Sequence, residues 1–323
     1  MLSKIHIAHL PTHIDKLPIL SNALGGPRLL VKRDDQTGLV FGGNKTRKLE
    51  YLLAQARDAG ARTLITTGAG QSNHCRQTAS AAARFGFDCT LVLAGQEPET
   101  ASANLFLDRL VGAEIVWTTP ENRAQTIQKV FKEIEEAGRK PFLIPYGGSS
   151  KVGAAAYALA VQELLGQLPK QPDWIVFASS SGGTQAGLVA GASLFGLESN
   201  ILGISVDEPK DVLQSRVAEL ASEVTEILGQ KMAFSPNDIL VNADYTGAGY
   251  GVMGTPEREA IHLFAKKEGI LLDPVYTGRA AAGLIDLIRK GFFGAEETVL
   301  FWHTGGTPAL FANKYQEAIL RDE

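Results

Sequence analysis

Three cations crowd the start of one helical pattern. Gly42-Gly43-Asn44-Lys45-Thr46-Arg47-Lys48-Leu49-Glu50 reads as a glycine turn running into KLEYLLAQARDAG, which puts Lys45, Arg47 and Lys48 in the first turn. The positive end of a helix dipole disfavours a cation there by roughly a few tenths of a kcal/mol or more, so something must compensate. Lys45 and Lys48 are three apart and share a helix face, so both amines can reach one ligand. A charge run on a helix is ordinarily a solvated face. Here the turn chemistry and the dipole conflict favour an anionic ligand instead.

Two further segments offer anion-binding backbone. Gly68-Ala69-Gly70-Gln71-Ser72-Asn73-His74 follows the strand pattern TLITTGA and opens CRQTASAAARFG. Ser72 or Asn73 can cap that helix, leaving the next N–H groups free for a carboxylate; capping accounts for one of these polar residues, not for Gln, Ser, Asn and His together. Ser179-Ser180-Ser181-Gly182-Gly183-Thr184-Gln185-Ala186-Gly187 follows the strand DWIVFA. Serial small residues let successive N–H groups form an anion nest, and Thr184 adds a hydroxyl, which makes a phosphate cradle. Toward the C-terminus, Tyr245 to Tyr250 (YTGAGY), Asp273 to Gly278 (DPVYTG) and His303 to Pro308 (HTGGTP) are each expected to end a strand and open a helix, and so to converge on one cleft. A lone tyrosine is more often packing than catalysis, so position alone says little for Tyr250 or Tyr276.

Competing chemistries lack their signatures. The serine-glycine loop is not GxxxxGK[ST], which disfavours an NTPase. An NAD-dependent oxidoreductase is the stronger competitor, because Asp207 ends the next strand about where a ribose-binding acid falls, yet neither glycine loop has GxGxxG spacing. Ser72 with His74 lacks the GxSxG elbow of a hydrolase. His6, His9 and His13 are interrupted by Pro11 and have no carboxylate cluster nearby, so they read as structural and no metal site is expected.

These residues need a scaffold, and the pattern supplies one. Apolar runs at 29–35, 63–69, 89–95, 113–119, 141–148, 173–183, 201–208, 238–245, 270–276 and 298–306 read as strands. Between them lie amphipathic helical segments at 44–60, 72–86, 125–138, 149–168, 212–229 and 255–269. This βαβ alternation predicts an α/β fold with mostly parallel sheets covered by helices, with ligands beyond the carboxyl ends of the strands. With 323 residues, 45% of them hydrophobic, the chain can bury one large or two medium cores. Lys and Arg total 31 against 35 for Asp and Glu, a net charge of -4, so no nucleic-acid partner is expected. Apolar runs such as 153–161 and 186–197 are too short to span a bilayer, and the N-terminal stretch lacks the apolar core of a signal peptide. Cys75 and Cys89 form no CxxC and no disulfide framework, which fits a reducing cytoplasm. The 34 glycines include isolated pairs at Gly42-Gly43, Gly147-Gly148, Gly182-Gly183 and Gly305-Gly306, at the ends of apolar runs where backbone bends tightly or approaches a ligand, and they form no linker-like tract.

Taken in order, HLPT (His9 to Thr12), GGNKTRKLE, GAGQSNHCRQTA, IPYGGSS, SSSGGTQAGL, GAGYG, DPVYTG and HTGG resemble the D-cysteine desulfhydrase and 1-aminocyclopropane-1-carboxylate deaminase family, over nearly the whole chain. GGNKTRKLE with QSNH carries most of the specificity. The resemblance implies a pyridoxal 5'-phosphate enzyme of the tryptophan-synthase-β fold type (fold type II) with two open, twisted, mostly parallel sheets. It implies a large cofactor-binding domain from 1–48 and 159–323, a smaller inserted α/β domain at 49–158, and a homodimer. Carried over residue by residue, Lys45 matches the lysine bonded to the cofactor, and Lys48 a phosphate contact. Asn73 lies beside the cofactor's ring oxygen, Ser72, Asn73 and His74 hold substrate carboxylate with Ser72 also a proton carrier, and Ser181, Gly182, Gly183 and Thr184 form the phosphate loop. Tyr250 and Tyr276 match active-site tyrosines. The deaminases carry Glu and Leu where this chain has Thr277 and Thr304. Without that Glu the cofactor's ring nitrogen is less protonated, with Thr304 offering it a hydroxyl and Thr277 facing the substrate, which favours loss of a good leaving group over opening of a cyclopropane ring. The implied reaction is α,β-elimination from D-cysteine; 1-aminocyclopropane-1-carboxylate and L-cysteate are the rival amino-acid substrates. A non-catalytic amino-acid-binding protein is the alternative of another class.

Overall fold

In the computed structural model, which describes residues 2–321, ten strands build two sheets. The larger-sheet strands are β1 (Ile14–Lys16), β2 (Arg28–Arg33), β7 (Trp174–Ser179), β8 (Asn200–Ser205), β9 (Leu240–Asn242) and β10 (Thr298–His303); β3 (Thr63–Ala69), β4 (Asp88–Ala94), β5 (Glu114–Thr118) and β6 (Pro141–Leu143) form the smaller sheet. The helices are α1 (Pro18–Leu24), α2 (Asn44–Asp58), α3 (Asn73–Phe85), α4 (Ala103–Leu110), α5 (Arg123–Glu136) and α6 (Lys151–Gln167) in the first half of the chain. α7 (Gly183–Phe195), α8 (Lys210–Ile227), α9 (Thr255–Glu268), α10 (Thr277–Arg289) and α11 (Asn313–Leu320) follow. The larger sheet runs β1-β2-β10-β7-β8-β9, with only β1 antiparallel to its neighbour; the smaller runs β5-β4-β3-β6, all parallel.

Parallel strands buried on both faces read as unbroken apolar runs, which is why most of them were recognisable. Successive side chains go to opposite faces. Val176, Val299 and Phe301 pack under Leu20, Ile261, Phe264 and Leu284, while Ile175, Phe177, Leu300 and Trp302 meet Tyr157, Leu188 and Val217 on the other side. In the smaller sheet, Leu64, Leu91 and Leu93 meet Leu49, Leu53 and Ala79, and Ile65 and Val92 meet Val130 and Ile134 of α5. Each such fully buried Val, Leu, Ile or Phe contributes roughly 1.5–3 kcal/mol of transfer free energy. Strands β3 to β6 fall in the chain between β2 and β7, so the smaller sheet is an insertion. The expected boundaries at 48/49 and 158/159 lie inside α2 and α6. Helix α6 contributes Val152 and Ala156 to the smaller core and Ala154, Tyr157 and Val161 to the larger. No described helix is long and apolar enough to cross a membrane.

One expected strand is absent. Residues 270–276 have no sheet neighbour; Ile270 and Leu272 are buried in the larger core and Leu271 is exposed, so packing on helices reproduces the alternation of a strand. The segment ends in a turn closed by the Asp273 carboxylate, which accepts N–H bonds from Val275 (3.0 Å), Tyr276 (2.9 Å) and Thr277 (2.7 Å). Residues 243–254, carrying YTGAGY, form a loop that reaches α9 only at Thr255, so this segment does not itself open a helix. The short edge strand β1 escaped the sequence reading, because three residues are too few to show a period.

Candidate active site

Helix α2 starts immediately after Gly43, and its three cations meet different fates. Lys45 lines a cleft between the two sheets, and its amine makes no hydrogen bond among the described residues and is pushed down to about 8 by burial. Lys48, one turn on, is fully buried; its Nζ donates to Gly147 O (3.2 Å) and approaches Ser149 Oγ at 3.5 Å. Burial, reinforced by the neighbouring Lys45 charge, holds its amine well below the usual lysine range. Arg47 turns away from the cleft. Its Nε and Nη2 donate to the two Asp34 carboxylate oxygens at 2.8 Å each, and Nη1 donates to Glu163 Oε2 at 2.9 Å. The dipole conflict is therefore relieved internally for Arg47 and left standing for the two lysines.

Opposite Lys45, β7 gives way to Ser180-Ser181-Gly182 and α7 begins at Gly183. Gly182 sits at φ 82°, in the left-handed region that a side chain would strain, and this bend aims the α7 N-terminus at the cleft. The first turn of α7 holds no acid. Ser149 Oγ accepts the Gly183 N–H (3.2 Å) and pairs with Ser181 Oγ (2.7 Å), and Asn44 Nδ2 donates to Thr184 Oγ1 (3.0 Å). The Ser179 hydroxyl is buried without a partner among the described residues. Free N–H groups, hydroxyls and a lysine beneath them are the donor set a phosphate monoester requires.

The N-terminus of α3 forms the next wall. Ser72 caps it, its Oγ accepting the Cys75 N–H at 3.2 Å, which leaves the hydroxyl proton available to a ligand. His74 Nε2 meets Thr66 Oγ1 at 2.9 Å; because that hydroxyl donates to Ile144 O (2.9 Å), the imidazole is the donor. Burial, then the Lys45 and Lys48 charges, keep His74 well below the usual histidine range, and so neutral.

Tyr276, the residue before α10, completes the wall. Its hydroxyl pairs with that of Tyr250 at 2.6 Å, the rings meeting edge-on with centroids 5.9 Å apart. Burial raises both phenols, so each remains a proton-bearing group at neutral pH. Tyr250 stands behind Tyr276 rather than on the wall itself. Its loop is held by Arg279, fully buried on α10, which donates to Val206 O (2.7 Å), Gly249 O (3.1 Å), Val252 O (2.7 Å) and Glu257 (2.8 Å). Thr304 lines the cleft at the end of β10 and its carbonyl accepts the Asn44 N–H (2.9 Å). There the backbones of two turns touch: a Cβ on Gly305 would lie 2.6 Å from Gly43 Cα.

Lys45, Ser72, Asn73, His74, Ser181, Gly182, Thr184, Tyr276 and Thr304 thus share one cleft, with Lys48, Gly183 and Tyr250 immediately behind it. Thr277 is the exception and corrects the expectation that it faces substrate. It is fully buried, its hydroxyl donates to Asp273 Oδ1 and accepts the Asp273 N–H, both at 2.8 Å, and it does not reach the cleft. Sequence reasoning also left Asn44, Tyr146 and Ser149 without roles. Tyr146 lines the cleft and Ser149 braces the cradle; both lie in IPYGGSS, which the sequence marked as a strand end and a family motif without giving either residue a role.

Among the described lining residues there is no Asp or Glu, so the cleft presents basic, hydroxyl and amide groups only. A phosphate cradle facing an amine of depressed pKa suits pyridoxal phosphate, whose phosphate and aldehyde need those two groups. The profile of the family described as "Pyridoxal-phosphate dependent enzyme" matches residues 5–305. D-cysteine desulfhydrase of Salmonella choleraesuis is 40% identical over 320 residues, which cover 96% of this chain and 95% of that protein. A Pyrococcus horikoshii protein, whose name provisionally assigns it as 1-aminocyclopropane-1-carboxylate deaminase, is 40% identical over 303 residues, covering 93% and 90%. A solved structure described as an ACC deaminase homologue aligns with a TM-score of 0.90 and 38% identity over 99% of this chain and 96% of that one.

Proposed function

The chain belongs to the family of pyridoxal-phosphate-dependent enzymes, and we propose that it catalyses α,β-elimination from a β-substituted amino acid, with D-cysteine and water giving pyruvate, sulfide and ammonia. The observation that carries this reading is a cleft with a low-pKa lysine and an anion cradle but no lining carboxylate among the described residues. Lys45 would hold the cofactor covalently, and Ser181, Gly182, Gly183 and Thr184, backed by Lys48, would hold its phosphate. Asn73 would face the ring oxygen and Thr304 the ring nitrogen. When bound, pyridoxal phosphate supplies a conjugated ring that takes up negative charge from the substrate's α-carbon.

The chain's own residues do the rest. The free N–H groups of α3, that of His74 among them, bind the substrate carboxylate with Ser72 and Asn73, while the one proton of the neutral His74 imidazole stays on the Thr66 hydroxyl. Lys45, whose place on the cofactor the substrate amine would take, then has a free amine that is half neutral near pH 8 and takes the α-proton, whereas Ser72 has no partner base among the described residues and serves as a proton carrier. Tyr276, kept protonated by burial and backed by Tyr250, gives a proton to the departing sulfur. With Thr304 a neutral partner in place of an acid, the site suits a substrate that brings its own good leaving group. We extend the proposal to a cytoplasmic homodimer in which the unit 49–158 closes on substrate; light scattering measures the subunit number.

The relatives named for cyclopropane deamination are as similar as the desulfhydrases, which supports 1-aminocyclopropane-1-carboxylate as a second reading. Purified protein is expected to be yellow, to bleach with borohydride, and to lose both colour and turnover on Lys45→Ala. Incubation with D-cysteine, L-cysteine, L-cysteate and 1-aminocyclopropane-1-carboxylate, assaying sulfide, sulfite, pyruvate and 2-oxobutyrate, decides the substrate and its handedness. Release of 2-oxobutyrate alone would overturn the desulfhydrase reading.

A further inference from the structure

Asn104, at the start of α4, lies outside the cleft and is fully buried, yet its side chain joins two of the loops that build the site. Its Nδ2 donates to Gln71 O (2.8 Å) and to Asn73 Oδ1 (2.9 Å), and its backbone N–H donates to Gln71 Oε1 (3.0 Å). Gln71 Nε2 returns a bond to Ser102 O (3.0 Å), so the Gln71-Ser72-Asn73 segment is clamped to the start of α4. On its other side, Asn104 Oδ1 accepts from Arg76 Nη1 (3.3 Å), and Arg76 Nη2 donates to Gly42 O (2.7 Å), in the turn that leads to Lys45.

The partners of Asn104 leave its amide no choice of orientation. The Gln71 carbonyl can only accept and the Arg76 guanidinium can only donate, so Nδ2 must face Gln71 and Oδ1 must face Arg76. Asn73 lies on the Nδ2 side, so it must present Oδ1 to Asn104. The remaining Nδ2 of Asn73 has no acceptor among the described residues and stands on the cleft wall. An asparagine on a cleft wall can otherwise show either end of its amide to a ligand.

We infer that Asn104 is a positioning residue that fixes the flip of the Asn73 amide, presenting its NH2 to a ligand oxygen, and that Arg76 registers this donor against the lysine turn. The inference rests on the proposed function only in taking that oxygen to belong to pyridoxal phosphate or its amino-acid substrate.

Asn104→Asp is the discriminating change. It keeps the size of the side chain and an acceptor for Arg76 but loses both Nδ2 bonds, so Asn73 must turn its NH2 toward the new carboxylate and offer the cleft an oxygen. Pyridoxal phosphate is titrated into cofactor-stripped protein by its visible absorbance, and substrate KM and kcat are measured on the reloaded enzyme. Asn104→Asp is expected to weaken cofactor binding or raise KM about tenfold, the scale of one ligand hydrogen bond. Asn104→Ala, which frees the flip without reversing it, should lose less. The same Asn104→Asp change made on Asn73→Ala should add less than twofold, since its effect passes through Asn73. Full multiplication of the two effects, or wild-type titration and KM in Asn104→Asp, overturns the inference. If neither Asn104 variant folds, Asn73→Asp tests the flip from the other side. It keeps an acceptor for Asn104 and turns an oxygen to the cleft, so a loss of about tenfold supports the inference and wild-type binding overturns it. Wild-type protein that takes up no pyridoxal phosphate would instead refute the proposed function.

Discussion

Asp34→Asn tests how the start of α2 is held. The Asp34 carboxylate is fully buried and accepts two bonds from Arg47 at 2.8 Å, one from Thr12 Oγ1 at 2.9 Å and one from Tyr157 OH at 2.6 Å. Its carbonyl accepts the Gly43 N–H at 3.0 Å, directly before the lysines. Burial pushes the carboxyl up, but the Arg47 charge and these hydrogen bonds outweigh it and bring it down to about 2 from 3.8. At about 1.4 kcal/mol per pKa unit, the charged form contributes roughly 2.5 kcal/mol at neutral pH. A depressed carboxyl gives its full stabilisation above its unfolded value near 4 and loses it as pH falls through about 2. Asp34→Asn also leaves Glu163, whose side chain is 15% exposed, as the one carboxylate on Arg47 among the described residues, and breaking a buried pair from one side costs roughly 3–5 kcal/mol. Urea unfolding of cofactor-stripped protein at pH 7 should therefore show a loss of about 3–5 kcal/mol, and stability between pH 4 and pH 2 should fall less steeply than in wild type. Tyr157→Phe removes one hydrogen bond to the charged carboxylate and leaves the ion pair, so it should cost less, roughly 1.5–3 kcal/mol. A loss below about 1 kcal/mol in Asp34→Asn, or an acid limb as steep as wild type, would refute this account of the buried pair.

Three other outcomes are expected. Lys45 in cofactor-stripped protein should react with an amine-directed acylating reagent along a curve that inflects near pH 8, protonated below and nucleophilic above. At pH 8 that is about a hundredfold more free amine than an ordinary lysine holds, measurable by pulse labelling and peptide mass spectrometry. Ala103 is held at φ 51°, a conformation costing a residue with a Cβ about 1 kcal/mol, so Ala103→Gly should raise the denaturation midpoint despite a more flexible unfolded chain. Thr277→Val strips Asp273 of a donor and its N–H of an acceptor, so it should lower stability by roughly 1–3 kcal/mol while leaving KM within about twofold, whereas a rise in KM of about tenfold would return Thr277 to the substrate site.

Much of this site was legible because its chemistry is local. A glycine turn, a helix start and a strand end are each defined by a few consecutive residues, so Lys45, the Ser72–His74 cap and the Ser181–Thr184 cradle could be located from their order alone. The parallel strands of both sheets were legible for a similar reason, since burial on both faces leaves continuous apolar runs. The failures came where a neighbour distant in the chain decides the outcome. Residues 270–276 carry a strand's alternation, but a strand also needs a hydrogen-bonding partner, and sequence carries no record of which edge is already occupied. Thr277 adjoins Tyr276 in the chain, yet one residue is about 100° of rotation at a helix start, enough to turn it from the cleft to Asp273.

The sequence alone determined that cations meet the unfavourable end of a helix dipole and that glycine loops at strand ends lead into helix N-termini, because both follow from residue type and spacing. Only the tertiary structure decided which cation was structural. Arg47 finds Asp34 and Glu163, the latter 116 residues away, whereas Lys45 and Lys48 find no carboxylate among the described residues. Depressed amine pKa values need burial from several elements at once, and the direction of the Asn73 amide depends on Asn104 and Arg76 in other turns. Such properties belong to the assembled fold, because desolvation and hydrogen-bond direction are set by whatever surrounds a group, and no single segment of chain surrounds itself.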